Sequence, residues 1–303
     1  MIKPTENISA RVKAISMLSW IARDPLDGYG FDAYELQEVT HALIQALNDE
    51  NKDIRFTAAQ AIPHIDPSKS NETLPVLVEF LLKDPDSDIR FNAAYSIGLF
   101  GQQAEVVCPD LLQALKDPVA VVRICAARAI CEIGIPDQKL IDVFTEMLFD
   151  ENLSCRREAA ASLGKFGSQS ISSLPALLDS LKSLQDVEQE LTHSCVIDAL
   201  GEIGHASPEV VQTLITTLND ERYSISRESA AISLGKLGPK AVSAVPDLVK
   251  VRDEAKIDSK LSSETSMEIE FENRLGLEAA IALEQIDLKN FNRALDESNT
   301  KAQ

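Results

Sequence analysis

Apolar and small residues recur along this chain in blocks, and within each block they fall at spacings of three and four. The clearest copies are DIRFNAAYSIGLFG (88–101), VVRICAARAICEIG (121–134), SCRREAAASLGKFG (154–167), HSCVIDALGEIG (193–204) and SRESAAISLGKLG (226–238). Weaker copies are RVKAISMLSWIA (11–22), DIRFTAAQAIPHID (53–66) and GLEAAIALEQID (276–287). Aligned on their small-small-x-aliphatic core, the copies have anchors at 11, 55, 90, 123, 156, 193, 227 and 276. A period in the mid-thirties is the mark of a stacked array whose units cannot bury their apolar faces alone.

In the copy at 121–134, Val122, Ala126, Ala127, Ile130 and Ile133 lie on one helical face. Paired alanines allow close helix approach, and the glycines at 101, 134, 167, 204 and 238 suit a left-handed helix end. A second helical pattern precedes each of the middle copies, at 73–84, 108–117, 140–150, 173–184 and 209–220. Prolines 75, 109, 175 and 246 are expected early in their helices, where a missing amide costs least. Each unit thus reads as helix, tight turn, helix, short turn. Asp49, Asp84, Asp117 and Asp150 precede the anchors Arg55, Arg90, Arg123 and Arg156 by six residues, and Asp220 precedes Arg227 by seven. Such aspartates are expected to accept from amides at the start of the second helix, or to meet an arginine of the same or a neighbouring repeat. The anchor arginines are therefore read as structural staples.

The phrasing around these anchors resembles HEAT repeats, and in particular the short bacterial type named after phycobilisome lyases, over about 11–287. The resemblance implies an all-α fold: a right-handed α-solenoid of stacked antiparallel helix pairs, about eight units with atypical ends, the second helix of each pair lining the concave side. The expected organisation is a single array with an N-terminal cap and loop (1–34), regular repeats (35–251), an acidic polar insertion (252–274) and a C-terminal cap and tail (275–303). The insertion is either a flexible loop or a polar extension of the flanking helices. His193 and Gly276 stand where the anchor arginine is missing, so the ladder is expected to break there.

Charge narrows the partners. Asp and Glu number 48 against 29 Lys and Arg, a formal net charge of −19. That field repels nucleic-acid phosphates and anionic lipid headgroups and favours a basic protein partner. The five cysteines show no CxxC, residues 1–10 lack the apolar segment of a signal peptide, and no stretch is long and apolar enough to span a bilayer. A cytoplasmic location with reduced, packed thiols is expected. No hydrolase, P-loop, zincin or dinucleotide motif is present, and the histidines at 41, 64, 193 and 205 lie in separate repeats. No catalytic residue, metal ligand or cofactor is therefore nominated.

The candidate site comes from the outward positions of the second helices. Position +1 from the anchor holds Phe56, Phe91 and Ile124, position +5 adds Tyr95 and Arg128, and position +9 adds Trp20 and Leu99. Elsewhere these slots are mostly polar or small. An apolar stripe of this kind marks a partner-binding face. Trp20, Phe56, Phe91, Tyr95, Leu99, Ile124 and Arg128 are the candidate partner-binding residues of a non-enzymatic scaffold or adaptor. The alternative implied by the resemblance alone is a bilin lyase-like or phycobiliprotein-associated factor holding a tetrapyrrole in the same groove.

Overall fold

The computed structural model describes residues 33–134, 138–184, 186–261 and 267–286, with side chains described for those within 37–254 and 274–286. Trp20, the first repeat copy, the segment 28–32 and the tail beyond Ile286 lie outside the described residues. Everything described is helix, 3-10 helix or turn, as the three-and-four spacing requires.

The chain divides into two compact units, Met1–Ile135 and Pro136–Gln303. In the first, α1 (Ala33–Ala46) pairs with α2 (Lys52–Ile65), α3 (Ser70–Lys83) with α4 (Ser87–Gly98), and α5 (Cys108–Ala114) with α6 (Ala120–Ile133). In the second, α7 (Gln138–Met147) pairs with α8 (Leu153–Lys165), α9 (Leu174–Leu181) with α10 (Glu190–Ile203), α11 (Pro208–Leu218) with α12 (Ser224–Leu237), and α13 (Val245–Leu261) with α14 (Met267–Ile286). Successive second helices pack on one another: α4 on α6 in the first unit, and α8 on α10, α10 on α12 and α12 on α14 in the second.

The alanine pairs explain why second helices dominate the stack. Ala93 and Ala94, Ala126 and Ala127, Ala159 and Ala160, and Ala230 and Ala231 are wholly buried beneath Ile97, Ile130, Leu163 and Leu234. At Gly201 a Cβ would lie 2.8 Å from the Ser233 Cα, so α10 and α12 meet at a distance only a hydrogen allows. The five expected glycines all adopt positive φ, from +53° at Gly101 to +75° at Gly134, and no other described residue does. Three of them open seven-residue 3-10 segments, Gly101–Val107, Gly167–Ser173 and Gly238–Ala244, that lead into the next pair.

Two expectations shift. Pro75 is not in a first turn: α3 begins at Ser70, because the 3-10 turn Pro67–Lys69 runs straight into it. The described residues of the segment 252–274 are helical, since α13 continues to Leu261 and α14 begins at Met267.

The Asp-to-Arg spacing works through the backbone. Arg55, Arg90 and Arg123 each donate from Nη1 to the carbonyl of the aspartate six residues earlier, at 2.9, 2.9 and 2.8 Å, and Arg156 does so from Nε at 2.6 Å. The carboxylates face the other way. Asp49, Asp84, Asp117 and Asp150 each accept the amide two residues on, at 2.8–2.9 Å, which folds the turn. Helix capping falls to a different residue, four before the anchor: Asn51, Asp86 and Asn152 accept the first amides of α2, α4 and α8. Arg90 also reaches the next turn, holding Asp117 through two bonds of 2.7 and 3.0 Å.

At His193 the ladder is replaced, not simply broken. The buried imidazole stacks on Tyr223, with ring centroids 4.8 Å apart, and its Nδ1 lies 3.0 Å from the Ser226 hydroxyl. Tyr223 occupies the slot that Asn51, Asp86 and Asn152 use for capping. Its hydroxyl instead donates to the Leu184 carbonyl at 3.3 Å, in the turn where Arg156 of the preceding repeat reaches the Ser183 hydroxyl at 3.3 Å. The amides left uncapped by Tyr223 find Glu190, whose Oε1 accepts from Ile225 and Ser226 at 2.6 and 3.4 Å.

Candidate interaction groove

On α4, Phe91, Tyr95 and Leu99 follow one another at i, i+4 and i+8, so they form a single ridge. Ile97 and the alanine pair anchor the opposite side of the helix in the core. The rings are consequently held out: Phe91 is 37% exposed and Tyr95 47%. On α6, Cys125, Arg128 and Glu132 form the facing ridge. Between them lies a hollow of about 590 Å³ with Gly98 and Ala129 at its floor. A Cβ on Gly98 would come within 3.0 Å of the Ala129 Cα, so this glycine sets the approach of the two helices.

The groove unites four of the seven nominated residues: Phe91, Tyr95, Leu99 and Arg128. Ile124 is half-buried on α6 and does not line it. Phe56 is also half-buried, its ring edge-on to Phe80 of α3 at 5.0 Å and 63°. The reason is local: α3, the first helix of the next pair, presents a ring just where position +1 of α2 emerges. Trp20 lies outside the described residues. Reading single helix faces missed Gly98, Cys125, Ala129 and Glu132, because the floor and second wall come from how two repeats meet. Their regular slots, at +2, +6, +8 and +9, were the available signal.

A groove at the same repeat positions lies between α8 and α10, about 420 Å³ in volume. Ala161 and Lys165 stand where the first groove has Tyr95 and Leu99, and Asp198 stands where it has Arg128; Cys195, Ala199 and Glu202 match Cys125, Ala129 and Glu132. Its lining is charged rather than aromatic, with Lys165, Asp198 and Glu202, the last paired with Lys236 at 2.7 Å. Burial pushes the Asp198 carboxyl above the usual carboxylate range against the opposing bond from Ser229. Burial likewise raises the Cys195 thiol. Glu228, on α12, is raised by burial although Arg274 sits 2.7 Å from it.

A larger hollow of about 820 Å³, bordered by α1, α2 and α3, has Ile44 and Ile65 as its apolar lining among the described residues, beside charged and polar side chains. It contains none of the nominated residues and offers no protruding ring. Among the described residues no three His, Cys, Asp or Glu side chains are grouped to hold a metal ion. No described helix is long and apolar enough to cross a membrane.

Known proteins place this architecture. A family model for HEAT repeats matches residues 40–131 and 108–195, together just over half of the chain. Protein YibA of Escherichia coli strain K12 is 29% identical over 186 residues, a match covering 60% of this chain and 62% of YibA, which is less than two thirds of that relative. The X-ray structure of E. coli YibA superposes with a TM-score of 0.55 at 24% identity, over 77% of each chain. Kap95, solved in a complex with Nup1, gives 0.54 at 17% identity, covering 93% of this chain and 40% of Kap95. The repeat phrase, the helix pairs and these matches agree, and the chain belongs to the HEAT-repeat family.

Proposed function

We propose that this chain is a non-enzymatic protein-interaction scaffold that seats a segment of a partner protein in the groove between α4 and α6. The observation that carries the reading is the pair of rings, Phe91 and Tyr95, standing exposed over a floor of Gly98 and Ala129. A solvated helix face gains nothing from such side chains. A partner that covers what is exposed removes roughly 150–200 Å² of mostly apolar area, worth about 4 kcal/mol before the costs of association. Kap95, a neighbour in fold, was solved with a protein partner, which supports an interaction role for a HEAT array of this kind.

The test pairs capture with stability. Phe91→Ala/Tyr95→Ala is expected to keep its helical content and melt within a few degrees of the parent. Retention of proteins captured by the parent from its native cell should fall at least tenfold, the loss of a modest hot spot. Equal retention by parent and variant sinks the docking reading. So does a collapsed melt, which would assign the rings to the core.

A further inference from the structure

The occupant of the groove can be narrowed by charge. A second copy of this chain would bring its own −19, and nucleic acid or an anionic membrane would bring phosphates into the same field. None of these complements the molecule. A partner chain docking in the aromatic groove meets a molecule of strongly negative net charge, with one base, Arg128, and one acid, Glu132, in the groove lining itself.

The groove walls say what fills it. Phe91, Tyr95 and Leu99 present rings and an aliphatic edge on one side, and the planar guanidinium of Arg128 stands on the other. A flat, polarisable side chain suits both walls, stacking against the rings and beneath the guanidinium. Resting on the docking reading above, we infer that the occupant is a basic peptide segment, in which an aromatic anchor fills the Phe91–Tyr95 groove and lysines or arginines complement the net negative charge of the molecule.

The experiment is a selection of short random peptides displayed on phage, run on the immobilised full chain and counter-selected on Phe91→Ala/Tyr95→Ala. Peptides that depend on the groove are expected to carry an aromatic residue and a net positive charge. Synthesised singly, they should lose at least tenfold in affinity on the double variant and again when their Lys and Arg are replaced by Glu. Groove-dependent peptides that are neutral or acidic overturn the basic-segment inference while leaving docking intact. Basic peptides that bind parent and variant alike, with no groove-dependent class, overturn both.

Discussion

Arg90→Ala probes a place where an anchor arginine bridges two repeats through a carboxylate. The residue lies at the start of α4 and spends four hydrogen bonds: two on the carbonyls of Asp84 and Pro85, at 2.9 and 3.1 Å, and two on Asp117, at 2.7 and 3.0 Å. The side chains of Arg90 and Asp117 are only 12% and 8% exposed. Burial pushes the Asp117 carboxyl up, but the bonds from Arg90 and the Val119 amide outweigh it and leave the group below the usual carboxylate range. Losing one partner of a fully buried pair costs about 3–5 kcal/mol, and of an exposed pair about 0–1. Residual exposure and the retained Val119 bond place this case between, at about 2–3 kcal/mol. The readout is native-state hydrogen exchange of α4 and α6, because an array with two units need not unfold in one step. Exchange there should accelerate roughly 30- to 150-fold. The stabilisation is present above the ordinary carboxylate pKa and is lost as pH falls through the depressed folded value, so the difference between parent and variant should shrink in acid. An acceleration under about threefold at neutral pH would refute the claim that this ion pair clamps the two repeats.

Three further outcomes follow from separate features. Gly201→Ala should destabilise the second unit by about 1–3 kcal/mol, seen as a lower melting temperature, because its Cβ would lie 2.8 Å from the Ser233 backbone; an unchanged melt would mean α10 and α12 can part freely. His193 is held below its ordinary pKa by burial, with Arg222 adding to the effect and Asp220 opposing it. Its contribution is intact above the unfolded value of about 6.5 and drains away as pH falls below it, whereas raised carboxyls such as Asp198 and Glu228 act in the opposite sense; His193→Gln should flatten the stability profile in that window, and an identical profile would exclude the imidazole as its source. Cys195, with its thiol raised by burial, should alkylate more slowly at pH 7 than an unfolded control, and reaction at the control rate would contradict that placement.

Much of the fold was legible because the repeat states each requirement several times. The glycines that close five of the copies read as left-handed helix ends; all five have positive φ, and Gly134 and Gly204 are left-handed caps, whereas Gly238 turns away at ψ −143°. The aspartate spacing was legible as a turn device but not in its division of labour. Which oxygen of Asp117 serves the Val119 amide and which group serves Arg123 depends on turn geometry that one-dimensional spacing does not encode. Tyr223 was a visible departure, an aromatic ring in a slot filled by Asn51, Asp86 and Asn152 in three other repeats. Its partner His193, one repeat away in sequence, is what gives that departure meaning. The groove was half legible: Phe91, Tyr95 and Leu99 lie on one helix, whereas its floor and far wall belong to the next repeat.

The way Glu190 caps a helix that is not its own bears on how this array comes apart. In three repeats the first turn of the second helix is completed by a residue just ahead of it, Asn51, Asp86 or Asn152, so a pair can form with local partners. The α12 turn instead draws its acceptor from α10 and lends Tyr223 back to the turn before α10. The Ser233 hydroxyl adds a bond to the Ile197 carbonyl at 3.0 Å. In a linear array, where stability is a sum of unit and neighbour terms, this makes the neighbour term between these two repeats unusually heavy. Fraying that enters from either side of the pair therefore meets a block that must be lost together, and the repeats spanning Glu190–Leu237 form the cooperative kernel of their unit.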